Sequence, residues 1–542
     1  MLRPLLPLCS ALLLAGCGVP DGAPSAPPTG SAVQVEAHVR FLADDLLEGR
    51  EAGTRGYDIA ARYVASQFTQ TGLVPGGDDG GWLQAVPLLK AERLRQGELT
   101  LLGAGEPIRF DFQDDFLPGV NFDNPEWSLE APLVFVGQAV VAPEYEQDDL
   151  AGVDLEGKIA VMLSGAPARF GNDQRAFYSS GREKLRLLGE RGAVGVIYLG
   201  DPEREGKSPW ARGAANWARP SMRLRDADGR PRDTFPQIRG SASLNVDGAR
   251  QLFAAAGLDA DAVFAQLKDG TLKPVELPLT ARMSGAATLS SLESHNVVGL
   301  LPGSDAVGAA EHIVYTAHLD HVGIGAEVDG DAIYNGALDN ALGVGILIET
   351  ARLAALSPRA ARSQVFVALT AEEKGLLGAE HFADSPGLDG RIVANINMDM
   401  PVMLSPQKDV IPIGIEHTSL KQVVEAAAAE LDIALTPDPF PEEVVFVRSD
   451  QFAFVRRGIP AVYLDGGIHA TVPEVDGREQ LDGFLRNHYH QPSDDLNLSI
   501  HFPTAAQLAT LNARIGQRVG NAADAPRWNE GNFFGGKFAG GR

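Results

Sequence analysis

Cysteine is almost missing from this 542-residue sequence, which contains only Cys9 and Cys17. Both lie within the first seventeen residues, so no disulfide can form in the body of the protein. The same scarcity removes thiolates from any metal site in that body. Its ligands must therefore be nitrogen and oxygen atoms.

Basic residues are also scarce relative to acidic ones, with 46 Lys and Arg against 71 Asp and Glu and a formal net charge of -25. A surface with this charge repels nucleic acid and anionic lipid headgroups. Neither is an expected partner. The acidity by itself favours no particular substrate.

Long hydrophobic runs are absent after about residue 20, so no later segment is apolar enough to cross a bilayer. The composition, with 44% hydrophobic and 22% charged residues, is that of an ordinary globular protein. The chain is longer than the roughly 250 to 300 residues at which single hydrophobic cores stop growing. We therefore expect more than one folded unit.

The N-terminus has the pattern of an export signal, with one basic residue, an apolar run and small residues before Cys17. The tetrapeptide LAGC that ends at Cys17 resembles the bacterial lipobox, in which the cysteine is acylated; a plain secretory signal is the alternative. Gly18, rather than Asp, follows the cysteine, which resembles the pattern for sorting of lipoproteins to the outer membrane. We expect a lipoprotein signal over residues 1–17, lipid anchoring of an exported protein at Cys17, and a flexible Pro-, Ser- and Gly-rich linker over 18–31.

The body of the chain divides by its hydrophobic pattern. Residues 33–74 predict two helices, whereas residues 119–293 contain short β-type runs with Gly- and Pro-rich connections and one helical stretch. Strand-like runs then alternate with helical periodicity, which is typical of a parallel sheet with helices on both faces. We expect an α/β domain over residues 32–118 and 294–522, an inserted β-rich domain over 119–293, and a poorly ordered Gly-rich tail over 523–542.

Acidic and histidine residues follow the predicted strands of the α/β domain, at the edge where open α/β sheets bind ligands. Singly, each has an ordinary explanation, such as a helix cap for Asp339. Together they would repel one another without a cation among them, and zinc accepts both imidazole nitrogen and carboxylate oxygen. The candidate metal ligands are His318, Asp339, Glu373, Asp399 and His490.

Six ordered motifs give the chain a resemblance to the M28 zinc metallopeptidases of the bacterial aminopeptidase type, with an inserted protease-associated (PA) domain. The resemblance covers about residues 32–520 and implies the zinc-dependent exopeptidase fold, with a mixed, mostly parallel sheet flanked by helices. The motifs are TAHLDHVGIG at 316, NGALDNALGVG at 335, LTAEEKGLLGAEHF at 369, INMDM at 396, RSDQFAFVRRGIPA at 448 and YHQPSDD at 489.

The resemblance implies two Zn²⁺ ions and a role for each ligand. Asp339 is expected to bridge both ions, His318 and Asp399 to complete one site, and Glu373 and His490 to complete the other. A bridging carboxylate with terminal ligands on each side is what a pair of ions about 3.5 to 4 Å apart requires.

Residues around the ligands receive further roles. Glu372 is expected to take the proton of the metal-bridged water, and Asp320 to accept the second imidazole N–H of the first metal-binding histidine. Gln451 stands where many relatives have histidine, on a side chain that faces the reaction intermediate. Glutamine can donate a hydrogen bond there but cannot carry a proton. His321 and His488 are expected to be neighbours of the site rather than ligands.

The function implied is hydrolysis of peptide substrates, with release of N-terminal residues as the leading hypothesis. The PA-like domain is expected to wall or gate the active-site cleft. A glutamate-type carboxypeptidase is an alternative that needs a cationic pocket, for which Arg448 and the loops over 203–232 are the candidates. A single-zinc glutaminyl cyclase and a non-catalytic binding scaffold are further alternatives.

Overall fold

The structure is a computed structural model that describes residues 27–103 and 105–541. The expected signal over residues 1–17, the lipidation site Cys17 and most of the expected linker lie outside the described residues. Within the described ranges, no helix combines the length and the apolar character that a membrane span requires.

The helices and strands alternate through most of the chain. The helices are α1 Ala32–Leu42, α2 Arg55–Gln70, α3 Asn172–Tyr178, α4 Gly181–Glu190, α5 Pro202–Lys207, α6 Trp210–Ala215, α7 Val246–Ala255, α8 Ala260–Asp269, α9 Gly343–Leu356, α10 Leu377–Asp384, α11 Leu420–Glu430, α12 Gln451–Val455, α13 Gly477–Asn487, α14 Phe502–Asn521 and α15 Phe533–Phe538. The strands are β1 Val74–Pro75, β2 Leu83–Leu102, β3 Ile108–Arg109, β4 Phe116–Pro118, β5 Glu126–Phe135, β6 Val141–Ala142, β7 Gln147–Asp148, β8 Ile159–Leu163, β9 Gly195–Leu199, β10 Ser221–Leu224, β11 Gly240–Leu244, β12 Val275–Leu301, β13 Glu311–His318, β14 Gly323–Val328, β15 Asp331–Tyr334, β16 Ser363–Leu369, β17 Arg391–Asn397, β18 Asp409–Ile413, β19 Ala434–Leu435 and β20 Ala461–Gly466.

One sheet of sixteen strands runs through the molecule, and its α/β half is centred on β13. Strand β13 pairs in parallel with β16 and β17, and β17 pairs in parallel with β20. Residues of α1, α9 and α14 cover one face of these strands, and residues of α10 and α12 cover the other. Coverage on both faces explains why β16 is a continuous run of buried residues rather than an alternating one. The predicted mixed sheet flanked by helices is confirmed.

The inserted part of the chain has its own core. Strands β5, β8, β9 and β11 pair in parallel, and α7 and α8 pack residues such as Phe253 against Trp127 and Phe135. Six helices, α3 to α8, lie here, more than the single helical stretch that the sequence indicates. This core also uses Leu99 and Phe116, which lie before residue 119, so the expected domain boundary stays a prediction.

Two long antiparallel strands, β2 and β12, join the two halves. Their pairing runs from Leu102 opposite Thr280 to Leu83 opposite Val297, with register shifts near Ser284. Strand β12 then pairs with β16 on the α/β side and with β5 on the inserted side. The chain therefore enters and leaves the insertion through a paired ribbon.

The described part of the Gly-rich tail packs against the body of the protein through residues 528–538, in contrast to the poor order that its composition predicts. Trp528 donates its indole N–H to the carbonyl of Gly458 at 2.9 Å. Phe534 is fully buried and contacts Phe446, while the neighbouring Phe533 meets Phe177 of the inserted half edge to face at 5.6 Å. Aromatic side chains supply the packing that the composition alone does not indicate, because the glycines dominate it.

Candidate metal centre

The carboxyl ends of neighbouring parallel strands bring the predicted ligands together. His318 is the last residue of β13, Glu373 follows β16, and Asp399 follows β17. Asp339 lies in a π-turn over Ala337–Leu342 that precedes α9, and His490 lies in the turn after α13. All five predicted ligands thus reach one edge of the sheet.

The donor atoms form two groups that share Asp339. In the first group, Nε2 of His318 lies 2.9 Å from Oδ1 of Asp399 and 3.2 Å from Oδ1 of Asp339. In the second, Nε2 of His490 lies 3.1 Å from Oε2 of Glu373 and 3.3 Å from Oδ2 of Asp339. The two oxygens of Asp339 therefore face different groups, as a carboxylate that bridges two ions must.

The second group also contains His321, which the sequence interpretation placed outside the ligand set. Its Nδ1 lies 2.7 Å from Oε1 of Glu373 and 3.9 Å from Oδ2 of Asp339. His321 is fully buried; its 2.7 Å contact with Glu373 lacks the alignment of a hydrogen bond, and its Nε2 has no hydrogen-bond partner among the described residues. His488, in contrast, contacts Ser493 through Nδ1 at 2.9 Å and lies outside both groups.

These donors fit divalent zinc. The four atoms of the second group, and the three of the first, lie within 4.8 Å of one another, and every donor is an imidazole nitrogen or a carboxylate oxygen. Glu373 Oε1 and Nδ1 of His321 lie buried 2.7 Å apart without the alignment of a hydrogen bond, and Nε2 of His321 has no hydrogen-bond partner in the described part of the chain. Buried polar atoms without partners are costly, and a cation among them would remove that cost.

Asp494 holds the backbone of Asp339, the residue that both donor groups share. Its carboxylate accepts the backbone N–H of Leu338 at 2.8 Å and that of Asp339 at 3.0 Å. Gly336, at φ +59°, starts the turn, and a β-carbon there would overlap the carbonyl oxygen of Asp339. Asp494 belongs to the motif YHQPSDD, which is the signal that could have identified it.

Arg50 ties together the loops that carry the ligands. Its guanidinium is 1% exposed and donates to the carbonyl oxygens of Leu319 at 2.9 Å, Asn335 at 2.6 Å and Gly336 at 3.1 Å, and also to that of Leu42. Nothing in the sequence indicates this role, because Arg50 stands in a polar segment that is typical of an exposed turn.

Asp320 supports a different neighbour from the one expected. Nδ1 of His318 lies 3.0 Å from the backbone carbonyl oxygen of Asp320, not from its carboxylate. The carboxylate instead accepts the backbone N–H of Glu372 at 3.0 Å and that of Glu373 at 3.4 Å. The expected carboxylate–imidazole contact is therefore wrong in this detail, because the strand end turns the Asp320 side chain toward the loop after β16.

Without a cation, the charges of the site shift one another strongly. Burial lowers the pKa of His490, but Glu373 and Asp339 outweigh it and raise the pKa to about 10. Burial also lowers the pKa of His318, but the nearby Asp399 and Glu372 outweigh burial and raise this pKa well above its ordinary value. For Glu372, burial raises the pKa well above its usual range, and the neighbouring carboxylates add to this.

Gln451 does not face the site. Its side chain is fully buried, its Oε1 accepts a hydrogen bond from Asn397 at 2.8 Å, and its Nε2 donates to the carbonyl of Phe446 at 2.9 Å. Both ends of the amide are thus occupied by the protein. The contact with a reaction intermediate that the resemblance implies for Gln451 stays a prediction, although the side chain lies in the core at the start of α12.

Two other residues of the motif at 448, Asp450 and Arg448, lie near the site. Asp450 is fully buried, neither carboxylate oxygen has a hydrogen-bond partner among the described residues, and burial raises its pKa well above the usual range. Arg448 lies 3.8 Å from a carboxylate oxygen of Glu443 and is half exposed, so its charge is already partly balanced.

The comparison with protein families matches residues 296–515 to the family described as Peptidase family M28. The matched segment begins in β12 and includes both groups of donor residues. The chain is also 26% identical over 292 residues to the probable lipoprotein aminopeptidase LpqL of Mycobacterium tuberculosis, an alignment that covers 46% of this chain and 54% of that protein. The chain thus spans about half the length of this relative.

Solved structures are similar over most of the chain. The aminopeptidase from Aneurinibacillus sp. strain AM-1 aligns with 92% of this chain and 98% of its own, at a TM-score of 0.54 and 21% identity. The zinc aminopeptidase BSAP from Bacillus subtilis aligns with 92% of this chain and 97% of its own, at a TM-score of 0.46 and 18% identity. The first of these likenesses shows a shared fold that includes the inserted half.

Proposed function

We propose, from the M28 match over residues 296–515, that this chain is a metallopeptidase with two zinc ions that releases N-terminal residues from peptides. The observation that carries the proposal is the division of the Asp339 carboxylate between two groups of donors, one around His318 and one around His490. The Mycobacterium tuberculosis relative is named as an aminopeptidase, which supports the choice of the N-terminal end.

His318, Asp339 and Asp399 would hold one ion, and Asp339, Glu373 and His490 the other. When bound, the ions supply Lewis acidity to the peptide carbonyl and lower the pKa of the attacking water. Because each donor lies in or next to a buried strand or a packed helix, its position is fixed before substrate arrives.

Glu372 is the proposed general base. Its backbone N–H is held by Asp320. Its neighbour Glu373 would bind the metal, which leaves the Glu372 carboxylate for proton transfer. The Glu372 carboxylate would take the proton of the attacking water and pass it to the amine that leaves. In the metal-free protein, burial near other carboxylates raises its pKa well above the usual range. Cations among the donors would lower this pKa again, which would leave Glu372 ionised and able to accept a proton.

Export and lipid anchoring at Cys17, at the outer membrane, belong to the same proposal, as does the assignment of the inserted half as a PA-like domain. The relative from Mycobacterium tuberculosis is named as a probable lipoprotein, in line with the LAGC sequence that ends at Cys17. Mass analysis of the N-terminal peptide from membrane fractions would detect an acylated Cys17. A free Cys17 thiol in the exported protein would contradict the anchoring.

One experiment tests the activity: residues 18–542, purified and loaded with zinc, are incubated with a library of peptides that are free, N-blocked or C-blocked. Cleavage that needs a free N-terminus and tolerates a blocked C-terminus is expected. Cleavage of N-blocked peptides alone would favour the carboxypeptidase. Cyclisation of N-terminal glutamine by a protein that holds one zinc ion would favour the glutaminyl cyclase. Binding of peptides without turnover would favour the non-catalytic scaffold.

A further inference from the structure

A cleft of about 480 Å³ lies beside the second group of donors. Glu373 and His490 line it together with residues of β2, β10 and the loop before β10. Three of the lining residues are arginines, Arg93, Arg219 and Arg223. The cleft therefore brings a cluster of cationic side chains into the same space as two of the metal-binding residues.

Arg219 is held in place without using its hydrogen-bond donors. Its guanidinium stacks on the ring of Tyr334 at 4.1 Å and occupies the space that a β-carbon at Gly325 would need. Its Nε and Nη2 atoms are buried and have no hydrogen-bond partner among the described residues. The loop is anchored nearby, where Asn216 accepts the backbone N–H of Ala326 at 3.1 Å.

The other two arginines contact neutral groups. Arg93 donates to the carbonyl of Arg219 at 2.6 Å and to the hydroxyl of Ser221 at 3.2 Å, and its Nε is buried without a partner among the described residues. Arg223 donates to the carbonyl of Met222 at 3.0 Å. Burial lowers the pKa of all three guanidinium groups, although Arg remains charged near neutral pH.

No carboxylate among the described residues lies within 4.0 Å of any of these three side chains. The neighbouring cation Lys374, in contrast, pairs with Glu51 at 2.7 Å. A purely structural arginine looks like Arg50, whose donors are filled by carbonyl oxygens. The open donors of Arg219 are those of an arginine that lacks its anion.

We propose that Arg219, supported by Arg93 and Arg223, binds a carboxylate that the substrate carries close to the bond that is cut. This inference rests on the proposed peptidase function and specifies its substrates. The carboxylate is either the C-terminus of a very short peptide or the side chain of an acidic residue. Arginine suits it because the planar guanidinium accepts a carboxylate through two parallel hydrogen bonds.

The position of the cleft gives this contact its effect on specificity. A short peptide whose scissile bond lies at Glu373 and His490 would extend its remaining residues into the cleft and toward Arg219. A site whose buried donors are paired only by the substrate's carboxylate rejects an analogue that lacks it. The protein would then prefer di- and tripeptides, or peptides with Asp or Glu near the cut, over uncharged ones.

Matched substrate pairs test the proposal on the zinc-loaded protein. The first pair is a dipeptide X-Ala with a free carboxylate and its C-terminal amide, where X is the N-terminal residue that the library favours. The second pair is X-Glu-amide and X-Gln-amide. A kcat/KM at least about tenfold higher for the charged member of one pair is expected, since hydrogen bonds to charged groups are stronger than neutral ones. The first pair reports a terminal carboxylate and the second an acidic side chain.

The variants Arg219→Gln and Arg219→Lys locate the effect. The kcat/KM for the charged substrate divided by that for its uncharged partner is expected to fall to near one in Arg219→Gln and to be partly kept in Arg219→Lys. The change should come mainly from a higher KM for the charged substrate. Because the ratio compares two substrates on one preparation, partial unfolding does not affect it. The control is Arg282→Gln, which removes an exposed arginine that pairs with Glu130 at 2.7 Å and should keep the parental ratio.

A direct binding measurement separates recognition from turnover. The same pairs are titrated by calorimetry into zinc-loaded Glu372→Gln protein, where the charged member should bind more tightly. Equal kcat/KM within both pairs, or a preference that survives in Arg219→Gln, would overturn the carboxylate site while leaving the peptidase function standing. Failure to cleave any member of either pair or of the library would overturn both.

Discussion

The carboxylate of Asp494 accepts the backbone N–H of Asp339, the residue whose two oxygens face the two donor groups. A second hydrogen bond, from Leu338 to the other oxygen, holds the same turn. The position of the Asp339 carboxylate thus depends on a side chain that supplies no donor atom to either group. Such supporting contacts are commonly worth 10- to 100-fold, in rough terms, in metal affinity.

The first prediction concerns this support. Asp494→Asn should weaken zinc binding by about 10- to 100-fold, because an amide offers only one acceptor oxygen to the two N–H groups. Competition with a chromogenic chelator measures the change. Asp495→Asn is the matched control, since Asp495 hydrogen-bonds only within its own turn, to Asn497. Equal affinities in the two variants would contradict the role of Asp494.

The second prediction tests the proposed base. Glu372→Gln should keep both zinc ions, because Glu372 belongs to neither donor group, but should lose about 10²- to 10⁴-fold in kcat. Zinc content by atomic emission and initial rates are measured on the same preparation. Glu293→Gln, an exposed change on β12, serves as the control. Turnover within a few-fold of the parent would rule out this base.

The third prediction separates two histidines that the sequence treats alike. His321→Gln should reduce the affinity for one of the two zinc ions, because its Nδ1 lies in the second donor group. His488→Gln should leave zinc binding unchanged, since that ring contacts Ser493 outside the groups. Stepwise removal of zinc by a chelator distinguishes the ions. Identical removal curves for the two variants would show that His321 has no such role.

The fourth prediction is the pH dependence of zinc uptake. In the metal-free protein the pKa of His490 is raised to about 10, so its imidazole carries a proton at neutral pH. Zinc requires the neutral ring, so binding must release that proton and the apparent affinity must rise with pH up to about 10. Calorimetry in buffers of different ionisation enthalpy counts the protons. If the number of protons released on zinc binding is the same in His490→Gln as in the parent protein, the released proton does not come from His490.

The fifth prediction concerns the tail. Phe534→Ala removes a fully buried ring and should lower the free energy of unfolding by about 3–5 kcal/mol. Thermal and urea denaturation measure it on the metal-free protein. Val307→Ala, at a side chain 82% exposed, should change stability very little. A comparable loss in both variants would mean that the tail does not pack in solution.

The placement of the ligands could be foreseen because it follows from topology. Parallel strands end at one edge of a sheet, so residues directly after β13, β16 and β17 must meet there, whatever the details of their loops. Hydrophobic periodicity located those strands. The long apolar helix α9 was equally clear, although it begins at Gly343, after the π-turn, rather than near Asn340.

What could not be foreseen depends on side-chain direction and on contacts distant in sequence. Arg50 looks like a turn residue, and only the meeting of three loops makes it buried. Gln451 and Asp320 were assigned by motif position, but rotation at a helix start or a strand end decides what each side chain touches. The order of the tail depends on the aromatic partner Phe177, more than 350 residues away.

The paired ribbon of β2 and β12 limits how far the arginines of the cleft can move relative to the metal-binding residues. Inserted domains are often attached by two loops that act as hinges, and their ligands are captured by closure. Here both crossings are strands that continue into the sheets of each half, so bending between the halves would have to break ladder hydrogen bonds. Arg219 should therefore stand at a fixed distance from the donors before and after substrate binds. Such a cleft would select peptides by the fixed distance between the donors and Arg219, and not by closing around the substrate.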